Sequence, residues 1–407
     1  MCAEKERKLT IKEKALRYKH KHRGMSLGRG LVALILLVLL MLLVSGRSLT
    51  SLGTSPAADG ESNLLQSRSN LLEATFVGDI NLSNGEERLA SVAGVSSIFS
   101  KTKDSWANSD LVLGNLESVL LEEGEKYKSA KDGSNKLGTK SDFAKGLKDA
   151  GFTALSLAND HSADYEKKGL KSTLSALDSV GIETIGAGEN SSEAADPLVK
   201  DVNGIKIAVY TMSDVVPEES AATVSSPGIA TASNSDLFMN IYKMRESVDL
   251  IVVNVHWGYE YTSTESKEQQ ELAHDLVEAG ADVVVGEHSH TLQPIEMYQG
   301  KLIVYGLGDY SHDNAWTRTK DGAMLHLVVD SQHQVDARLQ FIRIEGGIPT
   351  TTVGDFYIDR DTKIATQHLD KLDYSLDGST LTIPLGNLGD NYSGHTDEYE
   401  EEAQQND

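Results

Sequence analysis

The chain has 407 residues with 38 basic and 61 acidic side chains, so its formal net charge is −23. An acidic chain of this kind repels phosphate backbones, which argues against nucleic acid as a partner. Its one cysteine, Cys2, excludes a disulfide framework and a thiolate metal site within the chain. Any bound metal must therefore be held by histidine, aspartate, glutamate or asparagine.

The N-terminal region combines a basic segment, residues 1–29, with an uncharged apolar segment, residues 30–46. The apolar segment is near the lower length limit for a helix that crosses a bilayer, and the basic flank predicts a cytoplasmic N-terminus. We therefore expect an uncleaved transmembrane signal anchor in the cell membrane and an extracellular main domain. The alternative is a cleaved signal peptide. Residues 47–72, rich in serine, glycine and alanine, are predicted to form a linker.

Apolar runs and helical periodicity alternate through residues 74–305. Strands are predicted at 74–80, 111–117, 152–157, 205–212, 249–256, 283–285 and 302–305, and helices at 87–106, 165–180, 237–247 and 269–279. Residues 323–330 and 337–344 alternate as paired antiparallel strands. This pattern predicts an α/β or mixed α+β sandwich.

The sequence divides into a main domain and two C-terminal segments. The predicted main domain covers residues 73–345. Residues 346–388, where the periodicity weakens, are interpreted as a C-terminal extension. Residues 389–407 contain seven acidic residues and neither lysine nor arginine, which predicts a disordered acidic tail.

Polar side chains follow five of the predicted strands, and residues 280–296 give the clearest example. The apolar run at 283–285 stops at Gly286, and His288 and His290 follow two residues apart. Alternate residues of an extended segment point the same way, so both imidazoles are expected to face one point beyond the strand. Strand ends with similar side chains give a set of candidate metal ligands: Asp79, Asn115, Glu117, Asp160, His256, His288 and His290.

These oxygen and nitrogen ligands suit one or two divalent ions, such as manganese, zinc, iron or magnesium. Such ions activate water and clamp a displacement at phosphorus or at an acyl centre. The turn after residues 152–157 supplies the candidate catalytic side chains Asn159, Asp160 and His161, with His161 as general acid. The structural alternatives are a turn aspartate at position 79, helix capping by Asn159 or Asp160, and solvated loop histidines.

A lysine-rich segment, residues 122–148, precedes that turn. It is interpreted either as a solvated loop followed by a helix or as a cationic rim for an anionic substrate. The candidate substrate-binding residues are Lys126, Lys128, Trp257, Glu260 and Arg318.

Six motifs occur in order along the chain: GD at 78–79, GNLES at 114–118, SLANDH at 156–161, HWGYEY at 256–261, GADVVVGEHSHTLQPIE at 280–296 and YGLGDY at 305–310. Together they resemble the CapA/PgsA family of poly-γ-glutamate capsule biosynthesis proteins, over residues 73–345. WTRTKDGA at 316–323 resembles the membrane-anchored Bacillus-type members. The resemblance implies a calcineurin-like metallophosphoesterase-type fold, which is a four-layer sandwich of two mixed sheets flanked by helices.

The resemblance also implies a function in making, exporting or anchoring poly-γ-glutamate. The implied partners are the membrane, the ligase and transport subunits of the synthase complex, and the anionic polymer itself. Two alternatives stay open. One is a metal-dependent hydrolase that acts on a phosphoester or on the γ-glutamyl polymer, and the other is a non-catalytic surface protein that binds the polymer.

The sequence departs from the family's pattern at several positions. Asp160 replaces an asparagine, Asp309 and Tyr310 replace an Asn-Phe pair, and Glu287 replaces a histidine. Glu287 therefore removes or exchanges one imidazole ligand. Asn81 occupies the position where the metallophosphoesterase pattern has a histidine, which predicts that one metal site is weak or absent.

Overall fold

A computed structural model describes residues 70–127, 136–312 and 316–388. The predicted anchor, most of the predicted linker, and the acidic tail lie outside the described residues. Within the described ranges, no helix is both long and apolar enough to cross a membrane.

The described residues form two large sheets and two small ones. The strands are β1 Leu72–Ile80, β2 Leu111–Leu116, β3 Val119–Leu121, β4 Gly138–Lys140, β5 Ala154–Ser156, β6 Glu183–Ile185, β7 Ala187–Gly188, β8 Leu198–Val202, β9 Ile205–Ser213, β10 Gly228–Ile229, β11 Leu250–His256, β12 Val283–Glu287, β13 Ile295–Tyr298, β14 Lys301–Val304, β15 Asp309–Ser311, β16 Asp321–Val329, β17 Gln334–Glu345, β18 Ile348–Thr351, β19 Ser375–Asp377 and β20 Thr380–Asn387. The helices are α1 Gly85–Ala93, α2 Val95–Ile98, α3 Phe143–Ala150, α4 Glu166–Ser179, α5 Ser191–Ala194, α6 Ser235–Met244, α7 Lys267–Glu278 and α8 Asp355–Ala365.

The first large sheet has the strand order β19-β20-β17-β16-β1-β2-β5-β6, with β15 beside β1 and β18 beside β17. Strands β1, β2, β5 and β6 are parallel, whereas β16, β17 and β20 pair antiparallel. The second large sheet has the order β13-β14-β12-β11-β9-β8, and its four central strands are parallel. The sheets are therefore mixed, as predicted.

The two large sheets pack face to face, and helices cover their outer faces. Strand β11 illustrates the reason, because it is apolar on both sides: Leu250 and Val252 belong to the core between the sheets, whereas Ile251 and Val253 pack toward the helices. A strand buried on both faces reads as a continuous apolar run. The outer face of the first sheet is covered in the same way by α1 to α4. The order of layers is helix, sheet, sheet, helix.

Two predicted elements differ from the structure. The helix predicted at 87–106 is divided into α1, α2 and a 3-10 turn, because the chain turns at Gly94 with a φ of 87°. The extension predicted at 346–388 does not form a separate segment, because β18 and β20 pair with β17. Leu381 and Ile383 of β20 also belong to the core between the sheets. The predicted boundary at 345 falls inside the β17–β18 hairpin.

Candidate metal centre

The carboxyl ends of strands from both large sheets meet at one edge of the sandwich. We call this place the donor edge. It consists of the ends of β1, β2, β5, β11 and β12 with the residues that follow them, together with β15 and His312. Asn115 Nδ2 lies 3.2 Å from His256 Nδ1, and the backbone N–H of His288 donates to Asp79 Oδ2 at 3.1 Å. The structure thus brings together side chains that the sequence places on five separate strand ends.

Two glycines allow the strands to approach closely at the donor edge. A Cβ at Gly78 would lie 1.9 Å from the carbonyl oxygen of Gly308, and a Cβ at Gly286 would lie 1.9 Å from that of Tyr305. Any other residue would force the backbone apart. The sequence pattern of an apolar run that stops at glycine before a polar side chain therefore has a packing cause.

The loop after β12 is not extended as predicted. His288 and His290 have positive φ angles of 83° and 54°, a backbone conformation that is uncommon outside glycine. Strained backbone of this kind is concentrated at functional sites. Because the chain curls here, the two imidazoles do not face one point. They join different groups of donor atoms, with ring centroids 6.0 Å apart.

The first donor group consists of Asp160, His256 and His288. His256 Nε2 lies 3.0 Å from His288 Nδ1 and 3.1 Å from Asp160 Oδ1, and the two outer atoms are 3.9 Å apart. Ligand atoms bound about 2.1 Å from one ion lie about 3.0–3.5 Å from one another, so this spacing fits one shared cation.

The protonation of the first donor group also favours a cation. Burial and the neighbouring His256 imidazole lower the pKa of His288 to about 2, so that ring is neutral and can offer a lone pair. Burial raises the pKa of Asp160, but the hydrogen bond to His256 and the nearby imidazoles outweigh burial and hold that pKa below its ordinary value. Neutral imidazole and ionised carboxylate are the forms that bind metal.

The second donor group consists of His290, Asp309 and His312. His290 Nδ1 lies 2.7 Å from Asp309 Oδ1, and His312 Nδ1 lies 3.5 Å from Asp309 Oδ2. Burial lowers the pKa of His290, but the carboxylates of Asp309 and Glu117 outweigh burial and raise that pKa well above its ordinary value. This group therefore already holds an internal ion pair, which a metal ion would have to displace.

Asp79 lies between the two donor groups. Its Oδ1 is 3.9 Å from His256 Nδ1 in the direction of the first group, and its Oδ2 is 3.5 Å from His290 Nδ1 of the second. Asp79, Glu117 and His256 also form a third set of candidate donors. The position of Asp79 is that of a carboxylate able to bridge two ions.

Glu117 supplies the clearest sign that a positive charge belongs at the donor edge. Its side chain is buried, and its Oε1 has no hydrogen-bond partner among the described residues. Burial and the Asp79 carboxylate raise the pKa of Glu117 well above its ordinary value. A buried carboxylate oxygen without a partner is costly, and a divalent cation would neutralise it. The residues present therefore fit a metal ion.

His161 is oriented by a carboxylate that the sequence did not indicate. His161 Nδ1 lies 2.8 Å from Asp164 Oδ2, and its Nε2 lies 3.7 Å from Asp160 Oδ2 at the first donor group. A carboxylate on one ring nitrogen fixes the tautomer and leaves the other nitrogen to act on a neighbouring group. This arrangement suits a general acid.

The two amide side chains at the donor edge position other groups. Asn159 Nδ2 donates to Asn115 Oδ1 at 2.8 Å, and Asn159 Oδ1 accepts from the backbone N–H groups of His161 and Ser162. Asn115 Nδ2 donates to Asp79 Oδ1 at 2.8 Å. In this arrangement both amides hold their neighbours, and Asn115 as a metal ligand and Asn159 as a catalytic group stay predictions.

Glu287 is the last residue of β12, at the donor edge, and belongs to none of the donor groups. Asn254 Nδ2 donates to Glu287 Oε1 at 2.7 Å. Burial and the carboxylates of Asp79 and Glu117 raise the pKa of Glu287 well above its ordinary value. Glu287, where the resemblance implies a histidine, is thus a buried side chain that accepts a hydrogen bond from Asn254, and the loss or exchange of a ligand stays a prediction.

The predicted substrate-binding residues have different positions. Trp257 is a correction, because its indole is fully buried in the core of the second sheet and donates to the carbonyl of Tyr305 at 2.9 Å. Lys126, Glu260 and Arg318 are exposed. Lys128 lies outside the described residues.

Asp309, His312 and Asp164 were not predicted as site residues. Asp309 had a signal, because Gly308 and Asp309 repeat the arrangement of Gly78 and Asp79, and β15 pairs with β1 at this point. His312 and Asp164 had none, since both reach the site through turns that no periodicity predicts.

A family model described as bacterial capsule synthesis protein PGA_cap matches residues 73–314, more than half of the chain. The chain belongs to this family. The resemblance that was drawn from the six motifs is thereby confirmed.

Curated relatives agree with this assignment. The chain is 38% identical over 259 residues to the capsule biosynthesis protein CapA of Bacillus anthracis, which covers 62% of this chain and 63% of that protein. It is 37% identical over 256 residues to the PGA biosynthesis protein CapA of Bacillus subtilis (strain 168), which covers 63% of this chain and 67% of that protein. The chain therefore spans less than two thirds of the length of the Bacillus anthracis relative.

Solved structures give a weaker comparison. The NAD nucleotidase of Haemophilus influenzae aligns with a TM-score of 0.37 and 13% identity, over 73% of this chain and 63% of that chain. The 5'-nucleotidase of Candida albicans SC5314 aligns with a TM-score of 0.36 and 10% identity, over 75% and 55%. TM-scores this low carry no argument about fold or function, so the architecture stands on the strand order and the cores described above.

Proposed function

We propose that the protein is a membrane-anchored, extracellular component of the machinery that makes and exports a poly-γ-glutamate capsule, with a divalent metal site at the donor edge. The observation that carries this proposal is the convergence of buried carboxylates and imidazoles from both sheets in a chain of the PGA_cap family. The predicted anchor at 30–46 would hold this domain beside the ligase and transport subunits that the resemblance implies.

The metal would be held by the first donor group and, in a site of two ions, also by the second, with Asp79 between them. A divalent ion bound there would supply Lewis-acid chemistry toward a phosphoryl or carbonyl oxygen. The chain's own residues would orient the bound group and move a proton. His161, fixed through Nδ1 by Asp164, would hold that proton on Nε2.

Complementation of a deleted gene tests this function in the cell. We expect deletion to remove cell-associated poly-γ-glutamate and the wild-type gene to restore it. The double variant His256→Ala/His288→Ala should fail to restore the polymer, because it loses two imidazoles of the first donor group. The control His274→Ala/His333→Ala removes two histidines outside the donor groups and should restore it. Normal polymer in the deletion strain would contradict the proposal.

A second candidate function is a metal-dependent hydrolase of a phosphoester or of the γ-glutamyl polymer. The His161–Asp164 pair favours it, because a purely structural site has no need of an oriented general acid. The purified full-length chain, loaded with Mn²⁺ or Zn²⁺, should then release product from a phosphoester or a γ-linked oligomer. His161→Asn should reduce that rate by about 10²–10⁴-fold while the metal content stays unchanged. Absence of product with every loaded ion would exclude the hydrolase and leave the first proposal intact.

A further inference from the structure

A cleft of about 300 Å³ lies outside the donor groups. Two of its lining residues, Thr291 and Leu292, directly follow His290 of the second donor group in sequence. Its lining comes from four parts of the fold: the loop with Ser263 before α7; the loop with Thr291 and Leu292, directly after His290; the turn from Arg318 to the start of β16; and helix α8 with the turn after it. The lining residues are Ser263, Thr291, Leu292, Arg318, Asp321, Arg360, Lys363, Ile364 and Gln367.

The charge in this cleft is opposite to that of the chain as a whole. Asp321 is the acidic residue of the lining, and it is already paired with Arg343 and Arg360. Arg318 forms a hydrogen bond with a neutral partner, donating to Ser263 Oγ at 2.9 Å. Lys363 has no hydrogen-bond or ion-pair partner among the described residues. Among the described residues, the cleft therefore presents two cations without a carboxylate partner, in a chain of net charge −23.

Helix α8 carries one of these two cations, Lys363. Lys363 and Arg360 lie beyond residue 314, where the match to the family model ends. The segment that carries them is nevertheless part of the sandwich, because β18 before the helix and β20 after it both pair with β17. The position of α8 against the turn at Arg318 is thus fixed by the sheet.

Aromatic stacking connects the cleft with the second donor group. Tyr261 stacks on His290 with ring centroids 5.6 Å apart, and it also contacts Trp316 at 5.8 Å. Trp316 is 65% exposed and lies two residues before Arg318. A ligand bound between Arg318 and Lys363 therefore lies beside a surface that leads to His290.

We propose that this cleft binds carboxylates of a γ-linked polyglutamate chain and holds the polymer beside the second donor group. The inference rests on the proposed function and deepens it by assigning the residues that contact the polymer. A γ-linked chain carries one carboxylate per residue, separated by a flexible amide backbone. Two single cations carried by separate parts of the fold suit such spaced monoanions, and the Ser263 hydroxyl and Gln367 amide suit the amide groups between them.

Binding of a labelled γ-linked glutamate decamer to the full-length chain, followed by fluorescence anisotropy at physiological ionic strength, tests this inference. We expect Arg318→Gln/Lys363→Gln to weaken binding about tenfold, because two charge-assisted contacts are lost. The matched control is Lys206→Gln/Lys243→Gln, which removes the same charge from exposed positions in the second sheet and α6. The control should bind within about twofold of wild type, since salt screens distant charges.

Three outcomes would overturn the inference. They are unchanged binding by the cleft variant, an equal loss in the control, and tighter binding of a polyphosphate of the same charge than of the decamer. The complementation experiment above reports on the donor edge independently. If the cleft variant binds like wild type while His256→Ala/His288→Ala still abolishes the capsule, the cleft assignment fails and the proposed function stands.

Discussion

Two groups of buried carboxylates in this protein are neutralised in different ways. At the donor edge, Asp79, Glu117 and Asp309 face imidazoles and one another, and atoms of Glu117 and Asp309 have no hydrogen-bond partner among the described residues. Beside the cleft, Asp321 is held between the guanidinium groups of Arg343 and Arg360. The arginine-paired carboxylate is complete within the chain, whereas the donor edge holds buried carboxylate oxygens that a divalent cation would neutralise.

The comparison teaches which buried charges belong to the fold and which belong to a ligand site. Asp321 lies on β16 and binds Arg343 of the neighbouring strand β17, so the pair joins two strands. Burial raises the pKa of Asp321, and the two arginines oppose that change. At the donor edge the same burial acts on several carboxylates, and the ion pairs of Asp79 and Asp309 among the described residues are with histidines rather than arginines. Removal of a carboxylate is therefore expected to lower the stability of the folded chain at Asp321 and to raise it at the metal-free donor edge.

The largest expected effect is the loss of metal from the first donor group. His256→Ala/His288→Ala should lower the affinity for Mn²⁺ or Zn²⁺ by at least about 100-fold, because two of three donor side chains are removed. Metal analysis of the purified chain after dialysis against a weak chelator measures it. The control His274→Ala/His333→Ala should retain metal as wild type does. Equal metal content in all three proteins would show that the donor edge is not the site.

The next effect concerns the arginine-paired carboxylate. Asp321→Asn should destabilise the folded chain by about 3 kcal/mol, because it leaves Arg343 and Arg360 without their anionic partner. Urea unfolding followed by circular dichroism measures this change. Asp336→Asn is the matched control, since its pair with Arg338 is more exposed, and it should cost less than about 1 kcal/mol. If Asp321→Asn leaves the free energy of unfolding unchanged, Asp321 does not stabilise the fold and the contrast with the donor edge fails.

The smallest expected effect is an increase in the stability of the folded chain, not a decrease. Glu117→Gln should stabilise the metal-free chain by about 1 kcal/mol at pH 8, because it removes a buried carboxylate whose Oε1 has no hydrogen-bond partner among the described residues. The pKa of Glu117 is raised in the folded chain, so ionised Glu117 disfavours folding. The gain should therefore grow as the pH rises above about 4.3, the value for a free glutamate, and vanish below it.

Urea unfolding of chelator-treated protein at pH 4, 6 and 8 measures that gain. The same variant should bind metal more weakly than wild type. Destabilisation of the metal-free chain at pH 8 would mean that Glu117 is satisfied within the fold, and the distinction between the two carboxylate groups would then fail.

Much of the fold could be predicted from the sequence because buried strands leave a strong local pattern. The apolar run that forms β11 and the alternation that forms β16 and β17 were identified with nearly correct limits. The helix at 87–106 was predicted too long because Gly94 interrupts it. Strand β20, next to the edge strand β19, was missed, since it is only partly buried and lacks a continuous apolar run.

The candidate site was predicted in part for a similar reason. Asp79, His256 and His288 each follow a buried apolar run, so their convergence follows from the geometry of parallel strands. Trp257 adjoins His256 in sequence, yet its indole points into the core, because successive residues leave opposite faces of a strand.

The sequence by itself determined the family, the two mixed sheets and the strand ends that carry donor atoms, because apolar periodicity and short motifs are local. Tertiary structure alone decided how those donors are divided. The positive φ angles at His288 and His290 send the two imidazoles to different groups, and β15 brings Asp309 to β1 across a long stretch of chain. It also decided that helix α8 faces Arg318. Contacts between residues distant in sequence depend on packing of the whole sandwich, and no local pattern encodes them.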